Sequence, residues 1–505
     1  MPVPSHPSRR SFLFGAVGTA TLLAGGTRAS AGTAGGSRAG AGARSVLLPA
    51  AAGAVWLGAA PTTVDLGSRT VRTWAYGDTL PGPEIRVTAG TTLAARLKND
   101  LPHDTTVHWH GVRLVSAMDG APGLSQAPVA PGDSFDYLFT APDPGTYFYH
   151  SHVGTQLDRG LYGALVVEDP NEPLAYDAEW TIMLDDWIDG TGTDPDAVLE
   201  GLHERPKPPR TMHSDLLGGA AGHVAYPHYL VNGRTAQAPT RFEGAPGQRI
   251  RLRLINVGAD TAFQVALGGH RLTVTHADGF PVAPVTVDTV LLGMGERYDA
   301  LVTLADGVFP LVASAEGKNA RAFAVVRTSG GEAPPSDVAV PELDGRLLVP
   351  ADLVADPSVD LGEAPAREVR LVLRRGARGV GWTIGTSSGS DSAPLRLQVE
   401  EGERVRLSFT NRSGIWHPVH LHGHTFQVRG GTGPGARKDT VIVRPGKTVA
   451  ADFVADNPGE WMLHCHNLYH GALGMMVTLG YGAAPAGSMP HMAASGSKSP
   501  AGKGS

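Results

Sequence analysis

Three stretches of the chain follow one pattern, and that repetition constrains the fold more than any other property of the sequence. Ile85-Arg86-Val87-Thr88-Ala89-Gly90 leads to Asn99, Ala245-Pro246-Gly247-Gln248-Arg249-Ile250 to Asn256, and Val399-Glu400-Glu401-Gly402 to Asn411. Each run has the alternation of a strand and ends at an Asn turn. Nine residues past each Asn the copies diverge, to His108-Trp109-His110-Gly111, Val265-Ala266-Leu267-Gly268 and His420-Leu421-His422-Gly423. A second anchor repeats with equal spacing: Pro131-Gly132, Asp143-Pro144-Gly145 and His150-Ser151-His152 match Pro445-Gly446, Asn457-Pro458-Gly459 and His464-Cys465-His466. The middle copy has Gly295-Glu296-Arg297-Tyr298-Asp299, Asp306-Gly307 and Val312-Ala313-Ser314 in these places.

Self-similarity on this scale predicts three homologous domains. The 66 Gly and 39 Pro fall throughout as turn punctuation, which favours many short strands and an all-β fold of Greek-key β-sandwiches. The expected limits are 45–170, 175–330 and 365–482, with 331–364 as a linker. Residues 190–228 are polar, carry Pro, His and Gly, and show no period; they read as a surface loop over a binding-site mouth. A net charge of −6 with 18% charged residues gives no reason to expect nucleic acid or an anionic membrane surface as partner.

The four His-x-His pairs, 108/110, 150/152, 420/422 and 464/466, lie at matched positions of the outer copies, and the middle copy has none. Residues i and i+2 of a strand share a face, so each pair presents two imidazoles side by side. Docking the two outer domains would gather eight imidazoles at their interface, a number that suits three copper ions with positions left open for oxygen species. The one cysteine, Cys465, stands between His464 and His466. Its neighbours project away from it in a strand, so Cys465 must serve a different centre, one residue removed from the cluster. Cys465, His470 and His417, with Met475 as a weak axial thioether, form the soft S and N set of a blue-copper site.

The chain starts with Ser8-Arg9-Arg10-Ser11-Phe12-Leu13, an apolar run over 14–24 and Ala29-Ser30-Ala31. This pattern predicts a twin-arginine export signal over 1–31, handled by the twin-arginine machinery, and a mature protein that is secreted, periplasmic or otherwise at the cell envelope, with no stable membrane span. Residues 32–44 and the tail 483–505, with Met489, His491 and Met492, are low in complexity and read as disordered.

With these motifs in view, residues 45–482 resemble a bacterial three-domain multicopper oxidase of the laccase type. The likeness includes the middle copy through Leu230-Val231-Asn232-Gly233-Arg234, Ala277-Asp278-Gly279 and the Gly295 to Asp299 run. The resemblance implies three tandem cupredoxin-like domains and four coppers. His108 and His420 would hold type 2; His110, His150 and His466 one type 3 ion; His152, His422 and His464 the other. His417, Cys465 and His470, with Met475, would hold type 1. Asp119, eleven residues past His108, stands where relatives keep a proton donor, although Asp before Gly also suits a plain turn. Implied partners are dioxygen and a small reducing substrate: a phenol, an aromatic amine or a metal ion. The alternatives are a metallo-oxidase for Cu(I), Fe(II) or Mn(II), and a copper-binding or structural protein of the same fold. Ser413, four residues before His417, and the lack of a Met-rich run disfavour Cu(I). Gly471 replaces an acidic residue of many relatives. An edge of His417 or His470 is expected to face solvent for electron entry. His424 and Asp439 are candidates for orienting the ligand imidazoles.

Overall fold

Each repeat builds two facing sheets in the same order. Val55–Asp65 runs parallel to Thr92–Asn99, Ala178–Trp187 to Arg249–Asn256, and Arg367–Arg375 to Arg404–Asn411. In the facing sheets Glu84–Thr88 runs parallel to Tyr162–Glu168, Thr240–Glu243 to Ala320–Arg327, and Arg396–Val399 to Met476–Tyr481. The paired sheets have four and five, seven and five, and six and five strands, so the chain is the all-β, cupredoxin-like sandwich protein expected. This computed structural model describes residues 54–204, 212–362, 364–376, 381–386, 395–430 and 433–483, with the backbone of the strand Ser45–Leu47. The export signal and low-complexity stretch predicted over 1–44, and the predicted tail from 484 on, lie outside the described residues.

The Asn that ends each repeat motif is an internal clamp. Asn99, Asn256 and Asn411 are fully buried, and each side chain makes the same bonds. The Oδ1 accepts from the backbone N–H two residues on, at Leu101, Gly258 and Ser413. The Nδ2 donates to two carbonyls, of His103 and Val129, of Thr261 and Leu292, and of Ile415 and Val443. Satisfying three backbone groups of a buried loop is what keeps that loop inside the sandwich. In Thr92–Asn99 the side chains at 93, 95, 97 and 99 point inward, and burying each large aliphatic group there contributes about 1.5–3 kcal/mol.

Three expectations need correction. Only His108 and His110 lie together in one strand; His150, His420 and His464 are strand residues whose partners, at 152, 422 and 466, lie just beyond the strand ends. The loops, not the pleat, therefore aim three of the eight imidazoles. In the middle copy Val265 pairs with Ala313, as His108 does with His150 and His420 with His464, so the counterpart of those histidines is Ala313 and not Val312. Residues 331–362 are a packed strap: Val340, Leu348, Leu353 and Ala355 are buried, and bridges join Leu347 to Thr289 and Ala355 to Val282.

Candidate metal centres

The eight paired imidazoles converge between the first and third repeats. Ring centroids of His108 and His422, and of His110 and His420, are 3.8 Å apart; His110 lies 4.8 Å from His466, His152 5.1 Å from His464, and His150 5.4 Å from His466. The ring nitrogens of three trios, His108/His420/His422, His108/His110/His150 and His152/His422/His464, fall within 4.8 Å of one another. All are buried except His152, which is half-buried.

A neutral imidazole has one N–H, and its outer partner decides which nitrogen carries it. The Nδ1–H of His108 donates to the Asp119 carbonyl at 2.9 Å, and the same atoms of His150, His420 and His464 donate to the carbonyls of Ser151, Asp439 and Cys465 at 2.8, 3.0 and 3.0 Å. His422 Nδ1 donates to Asp119 Oδ2 at 2.8 Å. His110 is reversed, with Nε2 donating to Asp439 Oδ1 at 3.1 Å. The inward nitrogens His108 Nε2, His110 Nδ1, His150 Nε2 and His420 Nε2, and both nitrogens of His466, are buried without a hydrogen-bond partner among the described residues. Burial is the main cause that lowers the pKa of His110, His150, His422, His464 and His466 well below the ordinary imidazole value and that of His152 to about 3. Inward lone pairs on neutral rings, left unmatched at a cost of about 1–3 kcal/mol each, fit a cluster of copper ions.

Across Cys465 lies the second centre. His417 Nδ1 and His470 Nδ1 are 3.1 Å apart, and Cys465 Sγ is 3.6 and 3.5 Å from them. Met475 is fully buried in the same core as Cys465; its N–H donates to the His470 carbonyl and its carbonyl accepts from Cys465 N–H. His470 sits on the single-turn helix Leu468–Ala472, capped by Asn467, whose Oδ1 accepts from His470 N–H at 3.1 Å. Burial raises the Cys465 thiol above its usual range and lowers His417 to about 3. The sulfur therefore ionises only with a cation beside it.

The solvent-facing edge expected of His417 or His470 is absent: both are fully buried. The outer nitrogen of His417 meets Ser413 Oγ at 2.8 Å, and that of His470 meets His223 Nε2 at 2.9 Å. The Trp382 ring closes the remaining side, 4.1 Å from His470 and 5.1 Å from His417. His223 comes from the 190–228 segment, which holds the helix Pro195–Glu204 and buried Leu217, Ala221 and Val224. The described parts of this segment, 190–204 and 212–228, form a folded cover more than a surface loop.

Asp119 combines the two roles considered for it. Gly120 has φ +79°, and a Cβ there would collide with the Val107 carbonyl, so the Asp-Gly turn is a structural requirement. The fully buried Asp119 carboxylate also contacts His422, and its Oδ1 lies 3.2 Å from His108 Nδ1. Burial pushes this carboxyl up, and His422 and His108 outweigh that and hold it below the usual range. His424 does not orient the His422 ring; it donates to the His422 carbonyl and bonds Tyr481. Asp439 does hold His110, and Arg297 clamps it through two 2.7 Å bonds. Sequence reasoning missed His223, Trp382, the role of Arg297, and the Asp260–Lys318 pair that anchors the His223 loop. Of these only Arg297 carried a signal, as part of the repeated Gly295 to Asp299 run.

Comparison with known proteins agrees along the chain. Residues 59–172, 178–331 and 364–483 each match a family model described as multicopper oxidase. The chain is 47% identical over 433 residues to the multicopper oxidase MmcO of Mycobacterium tuberculosis, covering 83% of this chain and 85% of that protein. It is 30% identical over 474 residues to Laccase-2 of Botryotinia fuckeliana, covering 83% and 80%. The crystal structure of the laccase from Botrytis aclada superposes with a TM-score of 0.71 at 27% identity, covering 86% of this chain and 88% of that one. The chain belongs to the multicopper oxidase family, copper enzymes that pair a reducing substrate with dioxygen.

Proposed function

We propose that four coppers occupy these centres and that the donor is a phenol or an aromatic amine, oxidised one electron at a time while dioxygen is reduced to water. Type 1 would be held by His417, Cys465 and His470 with Met475, and type 2 by His108 and His420. The type 3 ions are assigned to His110, His150 and His466, and to His152, His422 and His464. The domain limits are 45–170, 175–330 and 365–482. The observation that carries this reading is the placement of Cys465, whose sulfur faces one donor set while the residues bonded to it, His464 and His466, face the other.

Copper, when bound, supplies one-electron storage, and four ions match the four electrons that convert dioxygen to water. The chain supplies the rest. Outer hydrogen bonds fix the tautomers of His108, His110, His150, His420, His422 and His464, so these lone pairs are aimed before any ion arrives. Tight packing around Cys465, Trp382 and Met475 keeps water from the mononuclear centre. Asp119, kept ionised by His422 and His108, accepts protons and passes them on at Oδ1, which lies 3.2 Å from His108 Nδ1. The Arg9-Arg10 signal supports export by the twin-arginine route to the cell envelope or beyond. Among the described residues no helix is long and apolar enough to cross a membrane.

The test is copper content per chain, followed by oxygen uptake with a phenol and with Cu(I) in parallel. Four coppers and faster uptake with the phenol are expected. Preference for Cu(I) would move the assignment to a metallo-oxidase, and fewer than four coppers in active protein would overturn the ligand sets.

A further inference from the structure

The type 1 histidines are fully buried, and His223, in the cover over them, carries a polar atom that no described residue satisfies. His223 is 8% exposed. Its Nε2 lies 2.9 Å from His470 Nε2, and its Nδ1 is buried with no hydrogen-bond partner among the described residues.

The tautomers along this chain of rings are determined. His470 turns Nδ1 towards Cys465 and His417; with that atom given to the metal, its proton sits on Nε2. His470 Nε2–H therefore donates to His223 Nε2, and neutral His223 must carry its own proton on Nδ1. The orphan is a donor and wants an oxygen. The other outlet is closed: His417 Nε2–H donates to Ser413 Oγ, whose own proton goes to the Ile415 carbonyl at 2.9 Å or to Asn411 Oδ1 at 2.8 Å.

The site is built, not incidental. Asp260 Oδ2 accepts from the backbone N–H of His223 and Val224 at 2.7 and 2.9 Å, and its Oδ1 accepts from Asn467 Nδ2 at 2.7 Å. Asn467 in turn holds His470 N–H. One buried carboxylate thus fixes the His223 loop and the His470 turn in register, and Lys318 neutralises it at 2.9 Å.

We propose that His223 is the residue the reducing substrate touches, its Nδ1–H donating to the oxygen of a phenol and its ring forming the contact through which His470 is reached. The donor loses one electron to the type 1 centre and the phenolic proton goes to solvent. This rests on the phenol reading above. A protonated Nδ1 is also a poor ligand for a cation, so the same geometry disfavours a metal ion bound at His223 as the donor.

Anaerobic bleaching of the blue absorbance by 2,6-dimethoxyphenol and by a water-soluble ferrocene, which needs no hydrogen bond, separates the possibilities. Copper content, the type 1 electron paramagnetic resonance signal and the type 1 potential establish that each variant is intact. In His223→Phe the ring still covers His470 but the donor is gone; bleaching by the phenol is expected to slow about tenfold relative to bleaching by the ferrocene. His223→Gln, able to accept from His470 and still donate, should keep most of the phenol rate. An unchanged phenol rate in His223→Phe overturns the proposal, as does an equal slowing with both donors. A faster phenol reaction in His223→Ala does so too, because His223 would then be a plug. Wild-type protein bleached by the ferrocene and not by the phenol would sink the phenol reading itself.

Discussion

Replacing Lys318 by Met tests how the middle repeat, which has no histidine pair, holds the proposed type 1 centre. The Lys318 ammonium and the Asp260 carboxylate are essentially buried, with side-chain exposures of 1% and 0%. Nζ donates to Asp260 Oδ2 at 2.9 Å, the Asp260 carbonyl at 3.0 Å, the Val224 carbonyl at 3.1 Å and Thr261 Oγ1 at 2.9 Å. Methionine keeps the aliphatic packing and removes the charge. Breaking one side of a buried pair costs about 3–5 kcal/mol, and the lower end is expected because Asp260 keeps three N–H donors. Burial pushes the Asp260 carboxyl up, yet Lys318 and His223 reverse this and its pKa lies below the ordinary value. Wild-type Asp260 therefore contributes stability that is present above the unfolded carboxyl pKa and lost as pH falls through the lower, folded one. In K318M that contribution disappears, and the deficit against wild type should shrink in acid. Urea unfolding of K318M, D260N and the double variant, followed by tryptophan fluorescence, measures the coupling. A loss of about 3 kcal/mol in K318M, partly restored in the double variant, is expected, with weakened blue absorbance because Asn467 and His470 lose their anchor. A K318M variant within about 0.5 kcal/mol of wild type, or strictly additive effects, would refute the reasoning.

Other outcomes follow from the same geometry. Cys465→Ser should fold with unchanged circular dichroism and show no blue absorbance and no oxygen uptake; persistent turnover would remove the assigned link between the two centres. Asp119→Asn should keep its turn and its blue absorbance while kcat falls about 10²-fold or more, and a wild-type kcat would leave Asp119 only its role in the turn. Asp158 is fully enclosed, its Oδ2 accepting from Tyr226 at 3.1 Å and Tyr469 at 2.5 Å, and burial, then Asp186, raises its pKa well above the carboxylate range. The folded state thus binds more protons here than the unfolded one above about pH 4. Stability is full below that point and declines as pH rises, by about 1.4 kcal/mol per unit until the folded pKa is reached. Asp158→Asn should remove that slope, and identical pH-stability curves for the two proteins would contradict it.

What was legible in the sequence was whatever repeats or obeys a local spacing. Asn99, Asn256 and Asn411 announced themselves because each must satisfy the same three backbone groups in its own loop, and the histidine pairs stood out because two copies kept what the third lacks. Contacts across repeats left no such mark. His223 is a single histidine in an aperiodic segment, 247 residues from the imidazole it meets, and Lys318 is 58 residues from Asp260. The expectation of an exposed His470 failed for the same reason: exposure is set by what folds over a site, and nothing local to His470 encodes the segment that covers it. The one-residue offset at Ala313 reflects a register chosen by strand pairing, which equal spacing to a turn does not determine.

The middle repeat explains why a chain whose histidine pairs lie in two copies keeps a third copy that has none. Its Arg297 reaches the first repeat at the Thr146 carbonyl, 3.0 Å away, and the third at Asp439, which in turn holds His110 from the first repeat and, through its carbonyl, His420 from the third. Its Asp278 accepts from the backbone N–H of Asp439 and Thr440 at 3.2 and 3.1 Å. Its Gly295, at φ +87°, lets the backbone pass so close that a Cβ would lie 3.0 Å from His110 and 3.1 Å from His466. Eight imidazoles drawn from two domains have no covalent reason to stay in register, and a shift of about 1 Å is enough to spoil a metal or catalytic site. A buried, bidentate arginine that ties the ligand-bearing repeats to a common third body supplies that register. Histidines in the middle copy would add ligands where the geometry has no use for them, whereas charged groups there restrain the ligands that exist.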